Sequence, residues 1–169
     1  DWIKVVITTQ NGKDCKDYRQ VKLGPFTEEE GKTYIQQRLQ SLNPSETDVM
    51  ALLNKDVVGL IPKKLELATA YIREISFMTI QRYIEKLQAL KKQHKKQQGK
   101  LVLPVVNLGL ETLVPQAQLL MRHGAYLDPD FIPVSLINEL LGLTDEEELN
   151  AILSPIARLS LVTTINDSG

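Results

Sequence analysis

The sequence predicts a mainly α-helical chain with a short piece of β-sheet at its start. Three observations indicate this fold class. Apolar side chains in residues 26–98 recur three and four positions apart, which is the spacing of one helix face. Residues 101–155 are dense in leucine and carry further helix start and stop signals. Only the first 25 residues have the composition of strands.

Residues 1–25 are predicted to be the terminal strands of an incomplete α/β domain. Val5-Val6-Ile7 is an unbroken apolar run, typical of a parallel strand buried on both faces. A second, shorter strand is predicted at Val21-Lys22-Leu23, before Gly24-Pro25. Because two short strands do not form a stable sheet, we expect the chain to be a fragment of a longer protein.

Residues 26–99 are predicted to form a four-helix bundle. Thr27 and Glu30 have the spacing of a capping box, and Asn43-Pro44 is expected to end the first helix. Pro62 suits the first turn of the third helix. The fourth helix is expected to be the longest and to continue into a lysine-rich stretch. Helices joined by short connections are typical of an antiparallel bundle.

Residues 100–169 are predicted to form a second helical domain. Helix starts are predicted at Pro115, at Pro133 and at the capping box of Thr144 with Glu147. Helix ends are predicted at Gly124 and Gly142, and the internal Pro155 is expected to end or kink its helix. Residues 159–165 alternate and are β-branched, which predicts a strand before a turn at 166–169. Helices followed by a strand and an interrupted hairpin are the order of elements in a winged-helix-like domain with a truncated wing.

The net charge of −1 conceals an asymmetry. Residues 1–100 hold 18 Lys and Arg against 12 Asp and Glu, whereas residues 101–169 hold 2 against 9. Five of the lysines lie together in residues 91–100, without arginine or aromatic neighbours. We interpret this run as a solvated helix extension and the change of sign as a domain boundary near Gly99, and nucleic-acid binding is disfavoured.

Cysteine content and hydropathy predict a cytoplasmic protein. Cys15 is the single cysteine, so no internal disulfide can form, which suits a reducing compartment. No run of 18 apolar residues exists, and the first residues lack the basic and apolar regions of a signal peptide. We therefore expect no membrane partner.

Gly31-Lys32-Thr33 matches the end of a phosphate-binding loop, G-x-x-x-x-G-K-[ST], but the match is interpreted as coincidence. The first glycine of such a loop is replaced by Phe26, and three glutamates at 28–30 would repel a phosphate. The capping box explains the same residues better.

The sequence predicts no catalytic and no metal-binding residues. His94 and His123 are the only histidines, and neither has metal-ligand spacing with Cys15 or with other ligands. No nucleophile, base and carboxylate are arranged as a catalytic group. We therefore predict that this chain alone is not an enzyme.

Three segments, in the right order, resemble the NB-ARC family of signal-transduction ATPases. Val5–Gln10 resembles the strand that ends in Thr-Thr-Arg, and Gly59–Ala68 aligns without gaps to the Gly-Gly-Leu-Pro-Leu-Ala-Leu-x-x-Ala segment of the helical domain. Ala117–Leu127, Asp130–Leu136 and Leu149–Val162 resemble the winged-helix domain. The resemblance is greatest to the branch followed by tetratricopeptide repeats.

This resemblance implies that the chain is a regulatory fragment of an ADP/ATP-dependent switch that couples nucleotide to conformational change and oligomerisation. Pro62 would pack against the adenine, and Gln10 would occupy the position of the arginine that senses the γ-phosphate. The neutral amide of Gln10 cannot make that charge-assisted contact, and Leu60 and Lys63-Lys64 also depart from the family pattern. These departures count against nucleotide sensing, in the parent protein as well.

The resemblance also implies which cofactors and partners belong to the parent protein. The phosphate loop and the Mg²⁺-binding aspartate would precede the fragment, so ADP or ATP with Mg²⁺ would bind in the parent, and the fragment itself would hold no cofactor. The partners would be an upstream nucleotide-binding domain, a downstream repeat domain and other proteins.

A second hypothesis is a helical or winged-helix interaction module. A DNA-reading winged helix is basic on its recognition helix, but residues 133–142 contain no Lys or Arg and include Glu139. Protein contact is therefore favoured over DNA contact.

Overall fold

The structure is a computed structural model that describes residues 24–96, 104–128 and 131–163, with side chains omitted for 94–96. This part of the chain contains eight α-helices and no strand, which confirms the mainly α prediction for it. The two strands predicted within residues 1–23 lie outside the described residues.

The helices follow one another with short connections. They are α1 Glu28–Arg38, α2 Glu46–Leu53, α3 Pro62–Glu74, α4 Ile80–Lys96, α5 Pro104–Leu110, α6 Pro115–Gly124, α7 Val134–Leu141 and α8 Glu146–Arg158. α1 packs against α2 and α3, α2 packs against α4, and α5 packs against both α3 and α4. α6 contacts α7 and α8. The four-helix bundle of residues 26–99 and the winged-helix-like domain of residues 100–169 stay predictions.

The helix start signals act through side-chain caps. The Thr27 backbone N–H donates to Glu30 Oε2 at 2.7 Å, and the Glu30 N–H donates to Thr27 Oγ1 at 3.3 Å, which confirms the first capping box. The hydrogen bond that Glu30 accepts from the Thr27 backbone N–H is the main cause that lowers the pKa of Glu30, and the bond from the Thr27 hydroxyl is the second. The capping box predicted at Thr144 is wrong: Asp145 caps α8, accepting from the Glu147 N–H at 3.0 Å.

Glycine and proline signals at helix ends are only partly confirmed. Gly142 ends α7 with φ 66°, and Asn43, with φ 44°, follows the 3₁₀ turn after α1. Gly124, expected to be a cap, is instead the last residue of α6 and the cap is Ala125. α8 continues through Pro155 to Arg158, so this proline does not end the helix.

The strand predicted at 159–165 is wrong for its described part, residues 159–163, which form a turn and bends. Ser160 has φ 57°, and the chain reverses there with two bonds onto the last turn of α8. The Ser160 N–H donates to the Ala157 carbonyl at 2.9 Å, and the Leu161 N–H donates to the Ile156 carbonyl at 3.1 Å. This pair of bonds is a Schellman motif, which satisfies helix-end carbonyls that a strand would leave unpaired.

The core is one apolar cluster that draws on all eight helices. Fully buried side chains come from both halves of the chain: Ile35, Leu52, Leu65, Ile72, Tyr83, Leu87 and Ile156. The apolar stripes predicted for α3 and α4 correspond to buried faces, because residues three and four apart lie on one side of a helix. Leu42, Leu136 and Leu140, which belong to other predicted stripes, are exposed.

Tyr83 is an exception within this apolar core because it carries a polar group. Its side chain is fully buried, and its hydroxyl has no hydrogen-bond partner among the described residues. Its ring centroid lies 5.5 Å from that of Tyr71 at a tilt of 54°. Burial, and to a lesser extent Tyr71, raises the pKa of the Tyr83 phenol above its usual range.

The variant Tyr83→Phe is expected to raise the free energy of unfolding by about 1 kcal/mol, because it removes a buried, unpaired hydroxyl and keeps the ring. The gain should grow above about pH 10, where the unfolded wild-type phenol loses its proton before the folded one and stability falls. Urea unfolding at neutral and alkaline pH measures both effects. Tyr126→Phe, at a side chain that is 91% exposed, is the matched control. A loss of stability in Tyr83→Phe would show that its hydroxyl is satisfied.

Candidate functional site

Local folding explains the residue pattern of Gly59–Ala68. Gly59 has φ 78°, in the left-handed region that glycine adopts without strain. Pro62 is the first residue of α3. A backbone N–H at this position has no acceptor within the helix, so proline, which lacks the N–H, is tolerated there. Leu65 and Ala68 are fully buried on the inner face of α3. The segment is thus a turn and an amphipathic helix, whatever else it does.

The turn before Pro62 holds the chain that enters α1. The Phe26 N–H donates to the Leu60 carbonyl at 2.8 Å, and the Phe26 ring lies 5.5 Å from that of Tyr34. Pro62 itself is exposed, next to this junction. The structure therefore places the predicted adenine-contacting residue on an accessible surface beside the segment that leads back to residues 1–23. Gln10, the other predicted site residue, lies outside the described residues.

The opposite end of the chain also meets α3. Lys63 Nζ donates to the Ser160 carbonyl at 3.0 Å and to Glu66 Oε2 at 3.0 Å. At the other end of α3, Glu74 Oε2 lies 3.5 Å from Arg158 Nε. α3 thereby bridges the entry to α1 and the exit from α8, a connection that the sequence alone does not reveal.

Gly31-Lys32-Thr33 lies in the body of α1, not in a loop. A Cβ on Gly31 would come 2.8 Å from Leu53 Cδ2, so the glycine allows close helix packing. Lys32 Nζ lies 3.3, 3.7 and 3.8 Å from carboxylate oxygens of Glu28, Glu29 and Glu46, respectively. The bond to Glu28 is the main cause that raises the pKa of Lys32. Helical backbone N–H groups do not converge on an anion, which agrees with the interpretation of this motif as coincidence.

The lysine-rich end of α4 begins with an anchored residue. Lys91 Nζ donates to the carbonyls of Asp56 and Val57, each at 2.8 Å. This lysine therefore joins α4 to the loop after α2, while Lys92 is exposed to solvent. The side chains of residues 94–100 lie outside the described part of the chain.

The described residues offer no metal centre. Among them, no group of three or more His, Cys, Asp and Glu is close enough to hold an ion. His123 is exposed in the last turn of α6, whereas the His94 side chain and Cys15 are not among the described positions. Over the same residues, no helix is both long and apolar enough to cross a membrane.

Phe77, in the connection between α3 and α4, is a surface feature that the sequence does not predict. Its side chain is 90% exposed and its φ is 59°, an unusual value for an aromatic residue. The Arg82 guanidinium donates to the Phe77 carbonyl at 3.1 Å and supports this conformation. The loop borders a shallow hollow of about 340 Å³ that is also lined by Glu85 and Lys86.

Apolar side chains are also exposed along α7. Helical spacing predicts a single buried stripe there, but only Ile137 is buried, at 7% exposed. Leu136 and Leu140 are 38% and 36% exposed. No sequence signal separates them from Ile137, because all three have the composition and spacing of core residues.

Comparison of the chain with protein-family models, with curated proteins and with solved structures returns no match. The NB-ARC resemblance therefore depends on its three sequence segments and stays a prediction.

Proposed function

We propose that this chain is the helical regulatory part of an ADP/ATP-dependent signalling switch, and that the segment Gly59–Lys63 is its joint. The nucleotide dependence comes from the sequence resemblance, and the observation that supports the joint is the pair of contacts made by this segment. The Leu60 carbonyl accepts from the Phe26 N–H, and Lys63 donates to the Ser160 carbonyl. One short segment thus touches both the chain that precedes α1 and the chain that follows α8.

The contacts at the joint are of the kind that a switch can break. Each is a single hydrogen bond: the neutral bond from Phe26 has a net contribution of about 0.5–1.5 kcal/mol. The donor Lys63 is charged, but its side chain is 59% exposed and water screens the bond, so this contact is also weak. The Arg158–Glu74 pair adds little, because Arg158 is 61% exposed and the pair is screened by water. A ligand beside the exposed Pro62 could therefore shift the balance between a closed and an open arrangement with modest differential affinity.

Nucleotide hydrolysis is assigned to the parent protein, not to this chain. The sequence has no G-x-x-x-x-G-K-[ST] motif, so it lacks the loop that holds nucleotide phosphates and the adjoining Mg²⁺. ADP at millimolar concentration should show no saturable binding to residues 1–169. The parent gene should encode that motif upstream and helical repeats downstream, and their absence from the gene would overturn the proposal.

The variant Lys63→Met is expected to loosen the joint. It keeps the length of the side chain but removes the donor to the Ser160 carbonyl, so the turn after α8 should open more often. Hydrogen exchange followed by mass spectrometry should show exchange in residues 159–163 accelerating several-fold while the core of α1 is unchanged.

The neighbouring lysine provides the matched control for this experiment. No hydrogen bond or ion pair to α8 involves Lys64 among the described residues, so Lys64→Met should leave exchange in residues 159–163 as in the wild type. Equal acceleration in both variants, or in neither, would contradict a joint at Lys63.

The alternative function, a helical interaction module, is favoured by the surface of α7. This helix carries exposed leucines, contains no Lys or Arg and includes Glu139. Such a surface suits contact with protein and repels the phosphate backbone of DNA. A salt-dependent shift of duplex DNA in a gel would reverse this ranking.

A further inference from the structure

Exposed apolar side chains are frequent in the segment from α6 through α7. Twelve large hydrophobic residues are exposed among those described, and six of them fall within residues 119–140. They are Leu119, Tyr126, Phe131, Val134, Leu136 and Leu140. Exposed apolar side chains that adjoin one another are typical of an interaction site, and on α7 helical spacing brings two of these six, Leu136 and Leu140, together.

Leu136 and Leu140 form the regular part of this surface, here called the α7 stripe. They lie four residues apart and therefore share one side of the helix. On one side of the stripe, Ile137 is buried against the core, and on the other side Glu139 is exposed. The stripe thus lies at the edge of the core and borders a negative charge.

A second group of carboxylates follows the stripe closely in the chain. Asp145 and the three glutamates that follow it are exposed, and they start only five residues after Leu140. An extended chain of that length spans at most about 18 Å. In the part of the chain that the structure describes, the ion pairs found involve neither Glu139 nor any carboxylate of residues 145–148. These five carboxylates are here called the acidic border.

We propose that the α7 stripe and the acidic border bind a basic amphipathic helix of a partner protein. The apolar face of that helix packs on Leu136 and Leu140, and its lysines or arginines face the acidic border. A helix suits a surface whose anchors recur at helical spacing, and the charges oppose approach of an anionic membrane. This inference does not depend on the nucleotide switch.

A second copy of this chain suits the surface less well. Its basic region is the lysine-rich end of α4, but there Leu90 is buried, at 7% exposed, and Lys91 already donates to two carbonyls. The described part of that region, up to residue 93, therefore supplies charge without the apolar face that the stripe requires. The partner is inferred to be a different protein.

The test uses a fluorescent peptide made of leucine and lysine in an amphipathic helical pattern, about 15 residues long because shorter helices are marginal in water. Anisotropy is measured with residues 1–169 at low and at physiological salt. We expect saturable binding that falls roughly tenfold or more in the double variant Leu136→Ser with Leu140→Ser. Leu42→Ser, at a leucine that is 48% exposed in the 3₁₀ turn Gln40–Leu42, is the matched control and should bind as the wild type does.

An independent variant tests the charges in case the serine variants lose helical structure by circular dichroism. Glu139, Glu146, Glu147 and Glu148 changed together to glutamine should weaken binding and reduce its dependence on salt. The proposal is overturned by equal binding of a leucine and glutamate peptide, or by affinity that neither set of variants changes. Salt-dependent self-association that the serine variants abolish would assign the surface to a second copy and would also overturn it.

Discussion

Replacing Leu65 by alanine is expected to lower the free energy of unfolding by about 2–5 kcal/mol. Leu65 is fully buried on α3, the helix that packs against both α1 and α5. Alanine loses the transfer free energy of the removed carbons and leaves a cavity that helices on two sides cannot collapse to fill. Urea unfolding followed by circular dichroism measures the change.

The control for this experiment is the same substitution at an exposed leucine. Leu42 is 48% exposed, and Leu42→Ala should change stability by no more than about 0.5 kcal/mol. If Leu65→Ala were as mild as the control, Leu65 would not contribute to stability as its full burial indicates. The result also bears on Gly59–Ala68, because it measures how much of that segment's pattern serves packing.

Gly31→Val is expected to destabilise the protein by about 1–3 kcal/mol, the usual cost of overpacking. A Cβ at this position would lie 2.8 Å from Leu53 Cδ2 and 3.1 Å from Leu60 Cδ2. The branched side chain adds further atoms at this contact and has few rotamers with which to avoid it. Thermal unfolding and urea unfolding should both report the loss.

Gly109, in the body of α5, is another helical glycine and provides the contrast. A Cβ there would lie 3.6 Å from Leu161 Cδ1, an ordinary contact, so Gly109→Ala should stabilise the chain by about 0.5–1 kcal/mol. A neutral Gly31→Val would mean that the flexible ends of Leu53 and Leu60 move aside at little cost. In that case, close helix packing would not explain why the Gly-Lys-Thr motif has a glycine at position 31.

Features that depend on neighbours in the chain are those that the sequence predicts well. The capping box at Thr27 and Glu30 and the proline at the start of α3 are correct, since each acts within one helical turn. The capping box at Thr144 fails by one residue because Asp145, a comparable cap, is adjacent.

Features that depend on distant packing are those that the sequence predicts poorly. The alternation of residues 159–165 predicts a strand, but the Schellman turn at Ser160 holds residues 159–161 against the end of α8. Leu161 then lies beside Gly109, a contact across about 50 residues that no local pattern encodes. Likewise, Leu136 and Ile137 are equally apolar, and the packing of α7, which contacts α6, determines which of them is buried.

The candidate site also combines a local structure that the sequence predicts with long-range contacts that it does not predict. Gly59–Ala68 stands out in the sequence, and its turn and helix form as predicted. Its partners do not stand out: Ser160 lies 97 residues from Lys63, and Phe26 reaches Leu60 only because α1 packs against α3. The nucleotide-related roles of Gln10 and Pro62 stay predictions.

By itself, the sequence determines that the described chain is mainly helical, where most of its helices begin, and which sides of them are apolar, because these depend on backbone geometry and on residue spacing within a few turns. Tertiary structure alone decides which apolar residues stay exposed on α7 and which segments α3 joins. Those outcomes depend on contacts between residues far apart in the chain, where burial is shared among several helices and no single segment specifies it.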